Sequence, residues 1–331
     1  MGYPIDIVIP WVDGSDPAWR AERAKYDPSA TSDNSEERFR DWDTFRYWFR
    51  CIEKNAPWVR TIHFVTWGHL PGWLDPSHPK LHIVNHRDFI PEEYLPAFSS
   101  HVIELNMHRL PDLAEHFLYF NDDVFLVQKA KRSDFFRNGL PVDSAILGVI
   151  KNADTDNFLP YIELNMLGIL NHRFDKREVV RKAPLKWFHP AYGKGLLLNL
   201  YLSAWGIFPG FRNLHTAYAY RKSVLREVWE EAGEALAATC RHRFRSKEDV
   251  NQYIFRYWQL AKGEFAPGRL RSAYLTIGRP EEKRLAAVLN DPKKLLVCLN
   301  DDPIGFDFEE EQKYLCGILE AHFPEKSAFE R

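Results

Sequence analysis

The chain has 331 residues, 45% of them hydrophobic and 27% charged, with a formal net charge of -2. These values describe an ordinary globular chain, with material for one large α/β domain or two modest ones. They exclude the global basic field that draws a protein to nucleic acid, and no stretch approaches the roughly 18 uninterrupted apolar residues of a membrane span. In chain order, Ile5–Val12 is a short β-branched run that breaks at Asp13-Gly14-Ser15-Asp16-Pro17, where every position has turn chemistry. It reads as a buried first strand followed by a polar loop, and its apolar part is too short for a secretory leader. Residues 27–41, rich in Ser, Asp and Glu, read as a flexible surface connection. A helix follows, which Asp43 or Thr44 can cap. Phe45, Trp48, Phe49 and Ile52 recur on it at i, i+3, i+4 and i+7. Arg46 and Arg50 share a neighbouring face, and Asn55-Ala56-Pro57 ends the helix. Thr61–Trp67 and Leu81–Val84 are the next strands. Strand, helix, strand favours a parallel sheet.

Ser99-Ser100 can cap a helix running to about Leu110, on which His101, Glu104 and His108 share one stripe. Phe117–Phe120 is a buried strand that ends in Asn121-Asp122-Asp123. Residues 129–204 are irregular, punctuated by Gly139, Pro141, Pro160, Pro184, Pro190, Gly193 and Gly195. Ser223–Thr239 reads as a helix, followed by the basic run Arg241-His242-Arg243-Phe244-Arg245. Ser246-Lys247-Glu248-Asp249 has the form of an N-cap with a supporting acid. It would open a helix with Val250, Ile254, Tyr257 and Trp258 on one side. Leu295–Leu299 is a last strand, ending in Asn300-Asp301-Asp302. Cys51, Cys240, Cys298 and Cys316 are too far apart in sequence for a metal-binding pair and are expected as reduced thiols of a cytosolic protein.

The most informative feature is that an apolar strand ends twice in Asn-Asp-Asp, as FLYFNDD at 117–123 and LVCLNDD at 296–302. In open α/β sheets ligands bind beyond the carboxyl ends of the strands. Two strands of one sheet would bring four carboxylates to that edge, and a divalent cation is the usual reason such crowding is tolerated. Mg²⁺ suits it, because it takes few protein carboxylates and completes its shell with diphosphate oxygens. Asp13 and Asp16 add an acidic loop that could grip a nucleotide's uracil, ribose or metal. A phosphate-bearing substrate also needs cations. Arg46 with Arg50, and one arginine of the 241–245 run beside a helix N-terminus, are the candidates. His215, in an irregular stretch just before a helix, could serve as a general base. Each of these has a bland alternative as turn, solvated face or structural histidine.

The segments IDIVIPWVDGSDPAW, DTFRYWFRCIEKNAPWVRTIHFVTWG and PAFSSHVIELNMHRLPDLAEHFLYFNDDVFL resemble the first two conserved blocks of the Stealth proteins. Asn213–His215 with RFRSKEDVNQ resembles the third block and VCLNDD the fourth. LKWFHPAYGKG resembles the short bacterial members that build capsular or receptor polysaccharides. The resemblance implies a Rossmann-like or GT-A-like α/β fold, a mostly parallel sheet flanked by helices. A single catalytic domain is expected, with its core at about 1–128 and 205–305 and an irregular helical insertion at 129–204. It implies transfer of hexose-1-phosphate from a UDP-sugar to a hydroxyl of a glycan or lipid-linked oligosaccharide, forming a phosphodiester and releasing UMP. Mg²⁺ or Mn²⁺ is the implied cofactor, and any membrane association is peripheral, at the inner face. Carried over by position, Asp123 and Asp301 are the metal carboxylates and His215 the catalytic histidine, with Asp301 also counted among the catalytic groups. Arg245 holds the transferred phosphate, and Asp13 and Asp16 serve the nucleotide end, with Arg46 near the phosphates. Asp302 stands where Asn is common. Trp187, Tyr192 and Lys194 are candidate acceptor contacts. A metal-dependent glycosyltransferase that releases UDP would use similar strand-end acids, and a non-catalytic carbohydrate-binding protein would use the 15% aromatic content as sugar platforms.

Overall fold

The first apolar run becomes a six-residue strand whose first five residues are buried. Ile and Val suit a pleated surface, and a strand buried on both faces belongs inside a parallel sheet covered on each side. The computed structural model describes residues 2–26, 41–152, 154–278, 284–301 and 307–331. Its strands are β1 (Ile5–Pro10), β2 (Ile62–Thr66), β3 (Leu81–Asn85), β4 (His116–Tyr119), β5 (Val124–Leu126), β6 (Phe136–Arg137), β7 (Leu140–Asp143), β8 (Tyr218–Arg221), β9 (Ala266–Pro267), β10 (Ser272–Thr276) and β11 (Leu296–Asn300). Its helices are α1 (Pro17–Ala24), α2 (Phe45–Asn55), α3 (Ser100–Asn106), α4 (Arg132–Phe135), α5 (Leu159–Arg173), α6 (Lys176–Lys182), α7 (Pro184–Trp187), α8 (Gly195–Leu202), α9 (Lys222–Cys240), α10 (Tyr253–Ala261), α11 (Leu285–Leu289) and α12 (Phe308–His322).

The main sheet runs β3-β2-β1-β4-β8, parallel throughout except for antiparallel β8. This is the mostly parallel α/β fold expected from the sequence. Because side chains alternate along a strand, β1 divides the interior. Ile5, Ile7 and Ile9 join Phe45, Trp48, Phe49 and Phe64 on one face. Val8 joins Tyr119, Tyr220 and Trp258 on the other. The second face also takes Met166, Leu170, Trp187 and Tyr192 from the 129–204 segment, so that segment packs against the sheet rather than hanging from it.

Four expectations are corrected. The two Asn-Asp-Asp strands do not share a sheet: β4 is in the main sheet and β11 lies between β10 and β5 in a second one. They meet because β5, which follows the first acidic turn, pairs antiparallel with β11. Thr44 precedes α2 without a side-chain cap bond. Ser246 does not cap a helix: α10 starts only at Tyr253, and Asp249 turns inward to His101 and His242 at 2.8 and 2.7 Å. The third strand, α3 and the last strand shift by a few residues from their predicted bounds, as element ends commonly do. The expected connection at 27–41, save Asp41, and Asp302 lie outside the described residues.

Candidate active site

A cavity of about 680 Å³ opens at the carboxyl end of β1 and β4. Pro10, Trp11 and Val12 form its wall after β1, and Asn121, Asp122 and Asp123 after β4. The second sheet supplies Leu299, Asn300 and Asp301, and α3 supplies Ser100, Ile103 and Glu104. Strand ends reach this position because the chain must leave the sheet there and turn, and Asn and Asp make such turns readily.

The acidic turn at 121–123 is fixed from both sides. The Leu299 N–H donates to the Asp123 carbonyl at 2.9 Å, which locks the first turn onto β11. Asp123 Oδ2 lies 3.1 Å from His215 Nε2, and the Cys298 thiol lies 3.4 Å from the same oxygen. Asn121 Nδ2 is also 3.1 Å from His215 Nε2. The ligand atoms of Asp123, His215 and Cys298 all lie within 4.8 Å of one another. The Trp42 indole, also in the cavity wall, donates to Asp301 Oδ2 at 2.9 Å.

This crowding sets the proton affinities. Burial works against a proton on His215, but the Asp123 carboxylate outweighs it, so the imidazole sits above its ordinary value. Burial and then the Asp123 charge keep the Cys298 thiol protonated. Asp122 is pushed up to about 7, by the enclosing walls first and the neighbouring Asp123 charge second. Its side chain keeps contact with cavity solvent, so repulsion from Asp123 is the cause that stands. Asp41, which also lines the cavity, is raised too, by desolvation and by the charges of Asp43 and Asp13. His86, a buried lining residue, is lowered to about 4 by burial and stays neutral.

Arg245 lines the cavity and donates to the Ser100 hydroxyl at 2.9 Å. It comes from the turn between α9 and α10, not from a helix start as its sequence neighbours suggested. Asp249 braces that turn: besides the two imidazoles it accepts the Ser246 N–H at 3.0 Å. The cavity therefore brings together Asp123, Asp301, His215 and Arg245, four of the residues singled out in the sequence.

Other candidates lie elsewhere. Asp13 and Asp16 are not lining residues. Asp13 accepts the N–H and hydroxyl of Ser15, and Asp16 caps α1 through the Trp19 N–H; their neighbours Val12 and Trp19 form the wall. Arg46 is outside the cavity and pairs with Asp43 at 2.9 Å. Arg50 is not a phosphate ligand. It is buried, bidentate to Glu330 at 2.8 and 2.9 Å and bound to Glu320 and the Phe323 carbonyl, so it clamps the C-terminal segment to α2. Trp187 and Tyr192 are core residues, at 1% and 0% exposure, and cannot touch an acceptor; Lys194 is exposed.

Sequence reasoning missed Trp42 and Asp41 as wall residues and Cys298 as a partner of Asp123. Cys298 had a signal, since it stands three residues before Asp301 in the strand that carries it. Trp42 had none, because its contact with Asp301 spans 259 positions.

Three stretches match conserved regions of the Stealth proteins: residues 3–30 match conserved region 1, 38–142 conserved region 2 and 214–257 conserved region 3. The capsular polysaccharide phosphotransferase WcwK of Streptococcus pneumoniae is 40% identical over 330 residues, which is 99% of each chain. The receptor polysaccharide phosphotransferase WefC of Streptococcus oralis is 36% identical over 337 residues, 98% of this chain and 99% of that one. The exopolysaccharide phosphotransferase cps2G of Lactiplantibacillus plantarum is 36% identical over 335 residues, covering 99% and 97%. Among solved structures, the galactosyltransferase LgtC in complex with donor and acceptor sugar analogs is 12% identical with a TM-score of 0.41, covering 96% of this chain and 95% of that one.

Proposed function

The chain belongs to the Stealth family, and on that premise we propose that it is a polysaccharide phosphotransferase moving hexose-1-phosphate from a UDP-sugar to a hydroxyl of a glycan acceptor. UMP leaves and a phosphodiester forms. The observation that carries the reading is the meeting of Asp123, Asp301, His215 and Arg245 around one cavity from four distant parts of the chain. Asp301 counts here as a catalytic group through the charge it brings to the reacting phosphate.

A divalent cation fits the residues present. Asp123 Oδ1 is buried with no hydrogen-bond partner, and the repulsion that raises Asp122 is what a cation would relieve. Asp123 and Asp301 are the carboxylates to hold Mg²⁺ or Mn²⁺, which prefer oxygen ligands. Cys298, kept as a thiol, serves instead as a donor to Asp123. Bound there, the cation supplies positive charge to the donor's diphosphate oxygens.

The chain's own groups do the rest. His215 Nε2 accepts the proton of the acceptor hydroxyl. That oxygen bonds to the β-phosphorus, the bond from this phosphorus to the bridging oxygen breaks, and UMP departs with the electron pair. Arg245 balances charge on the phosphoryl oxygens as it builds. The sugar C1–O bond is never broken, so the donor's anomeric configuration is kept. The nucleoside end belongs beside Val12 and Trp19, with Asp13 and Asp16 behind them; Arg46 reaches the donor only by releasing Asp43. The acceptor is a growing cell-surface glycan or lipid-linked oligosaccharide, met at the inner face of the membrane by a cytoplasmic enzyme.

The nucleotide product tests this. The protein is incubated with UDP-sugars, Mg²⁺ and a saccharide acceptor, and UMP is resolved from UDP. UMP that depends on metal and acceptor supports phosphotransfer. UDP in its place replaces the reading with glycosyl transfer at the same site.

A further inference from the structure

Helix α8 has its polarity reversed. Its sequence is GLLLNLYL, with no charged residue. The one strongly polar side chain, Asn199, is buried, where it takes the Leu147 N–H and donates to the Ala145 and Trp187 carbonyls. Gly195, Asn199 and Leu202, spaced by four and three, form the inward face. Leu197, Leu200 and Tyr201, at i, i+3 and i+4, lie on the opposite face, and they point to solvent together with Trp205 and Ile207 just beyond. These five side chains are between 45% and 75% exposed. Single exposed apolar residues need no explanation, but a contiguous set on one helix and its exit marks an interaction surface.

Charge identifies what covers it. Residues 171–210 carry seven Lys or Arg against two acids, although the whole chain is net -2. The Arg177 guanidinium lies against Gly206, between Trp205 and Ile207. Lys194 stands at the entry of α8. Arg177, Arg181 and Lys194 are exposed and make no ion pair among the described residues. Leucines with Tyr and Trp, rimmed by unpaired cations, are the composition of a surface that lies in the headgroup layer of an anionic bilayer. No helix among the described residues is long and apolar enough to cross a membrane, so such a face docks on one leaflet.

We propose that α8 and the Ser203–Ile207 exit form a docking face for the surface of an anionic lipid bilayer. The chain runs from this face through buried Phe208 and Phe211 to His215, so the catalytic loop hangs from the docked segment. The inference deepens the reading of a membrane-borne acceptor, but its test needs no turnover.

The test is flotation of the full chain with vesicles of phosphatidylcholine alone and with phosphatidylglycerol added. The wild type is expected to float with the anionic vesicles and to release as salt is raised. L200E with Y201E is expected to weaken that binding at least tenfold, and R177E with R181E to reduce its dependence on anionic lipid. Both variants are expected to keep the wild-type melting profile and turnover of a soluble acceptor. Wild type that stays unbound, or L200E/Y201E that floats like wild type, overturns the proposal. So does a concentration-dependent oligomer that L200E/Y201E dissociates without any vesicle binding, since the face would then join two copies of the chain. Failure of UMP release with intact flotation would instead count against the phosphotransfer reading alone.

Discussion

Replacing His215 with alanine separates chemistry from architecture at this site. The imidazole touches Asp123 Oδ2 and Asn121 Nδ2, each at 3.1 Å, and its side chain is 36% exposed. Asp123 keeps the Cys298 thiol as a partner after the change. A partly exposed pair contributes little, so the folding cost is about 1 kcal/mol. A positioned general base is worth roughly 10²–10⁴ in rate, or about 3–5 kcal/mol of barrier. The expected result is a kcat for UMP release lowered by roughly that factor with donor binding unchanged.

The pH profile sharpens the test. The folded His215 lies above its ordinary value, and a base works only when unprotonated. Wild-type kcat should therefore rise as pH climbs through that raised value, and His215→Ala should lose this limb. Stability runs the other way. The His215–Asp123 contact stabilises fully below the unfolded imidazole's pKa and is lost as pH rises through the folded one, so the stability gap between the two proteins narrows at high pH. Near-normal turnover of His215→Ala across neutral pH would refute the general-base role.

Asp123→Asn and Asp301→Asn should each abolish the response of turnover to added Mg²⁺ or Mn²⁺ while leaving the thermal melt close to wild type, measured by metal titration and calorimetry. Arg50→Ala leaves the Glu330 carboxylate buried without its cation. It should cost about 3–5 kcal/mol in urea unfolding, a loss of stability that an arginine serving only substrate phosphates would not cause. Trp187→Ala should destabilise by about 3–5 kcal/mol through the cavity it leaves, with acceptor KM unchanged in the protein that remains folded.

The sequence alone determined the parts governed by local rules. The β-branched run at Ile5, the apolar period of α2 and the turn chemistry at Asn121–Asp123 are properties of neighbouring residues, so they are legible without knowing the fold. The same run of text placed Asp123, His215, Arg245 and Asp301 by resemblance, and all four face the cavity. Tertiary structure decided whatever depends on partners far along the chain. Arg46 and Arg50 look alike on one helix face, yet Glu330, 280 positions away, takes Arg50 out of solvent. Ser246–Asp249 has the form of a cap, yet His101, 148 positions away, claims the aspartate. Trp187 and Tyr192 read as acceptor contacts, and the core took them because burying a large aromatic outweighs leaving it in water. The two acidic turns meet through β5 pairing with β11, a contact set by backbone hydrogen bonds between remote segments. A local pattern states what a residue can do, and long-range packing selects which of those uses it is given.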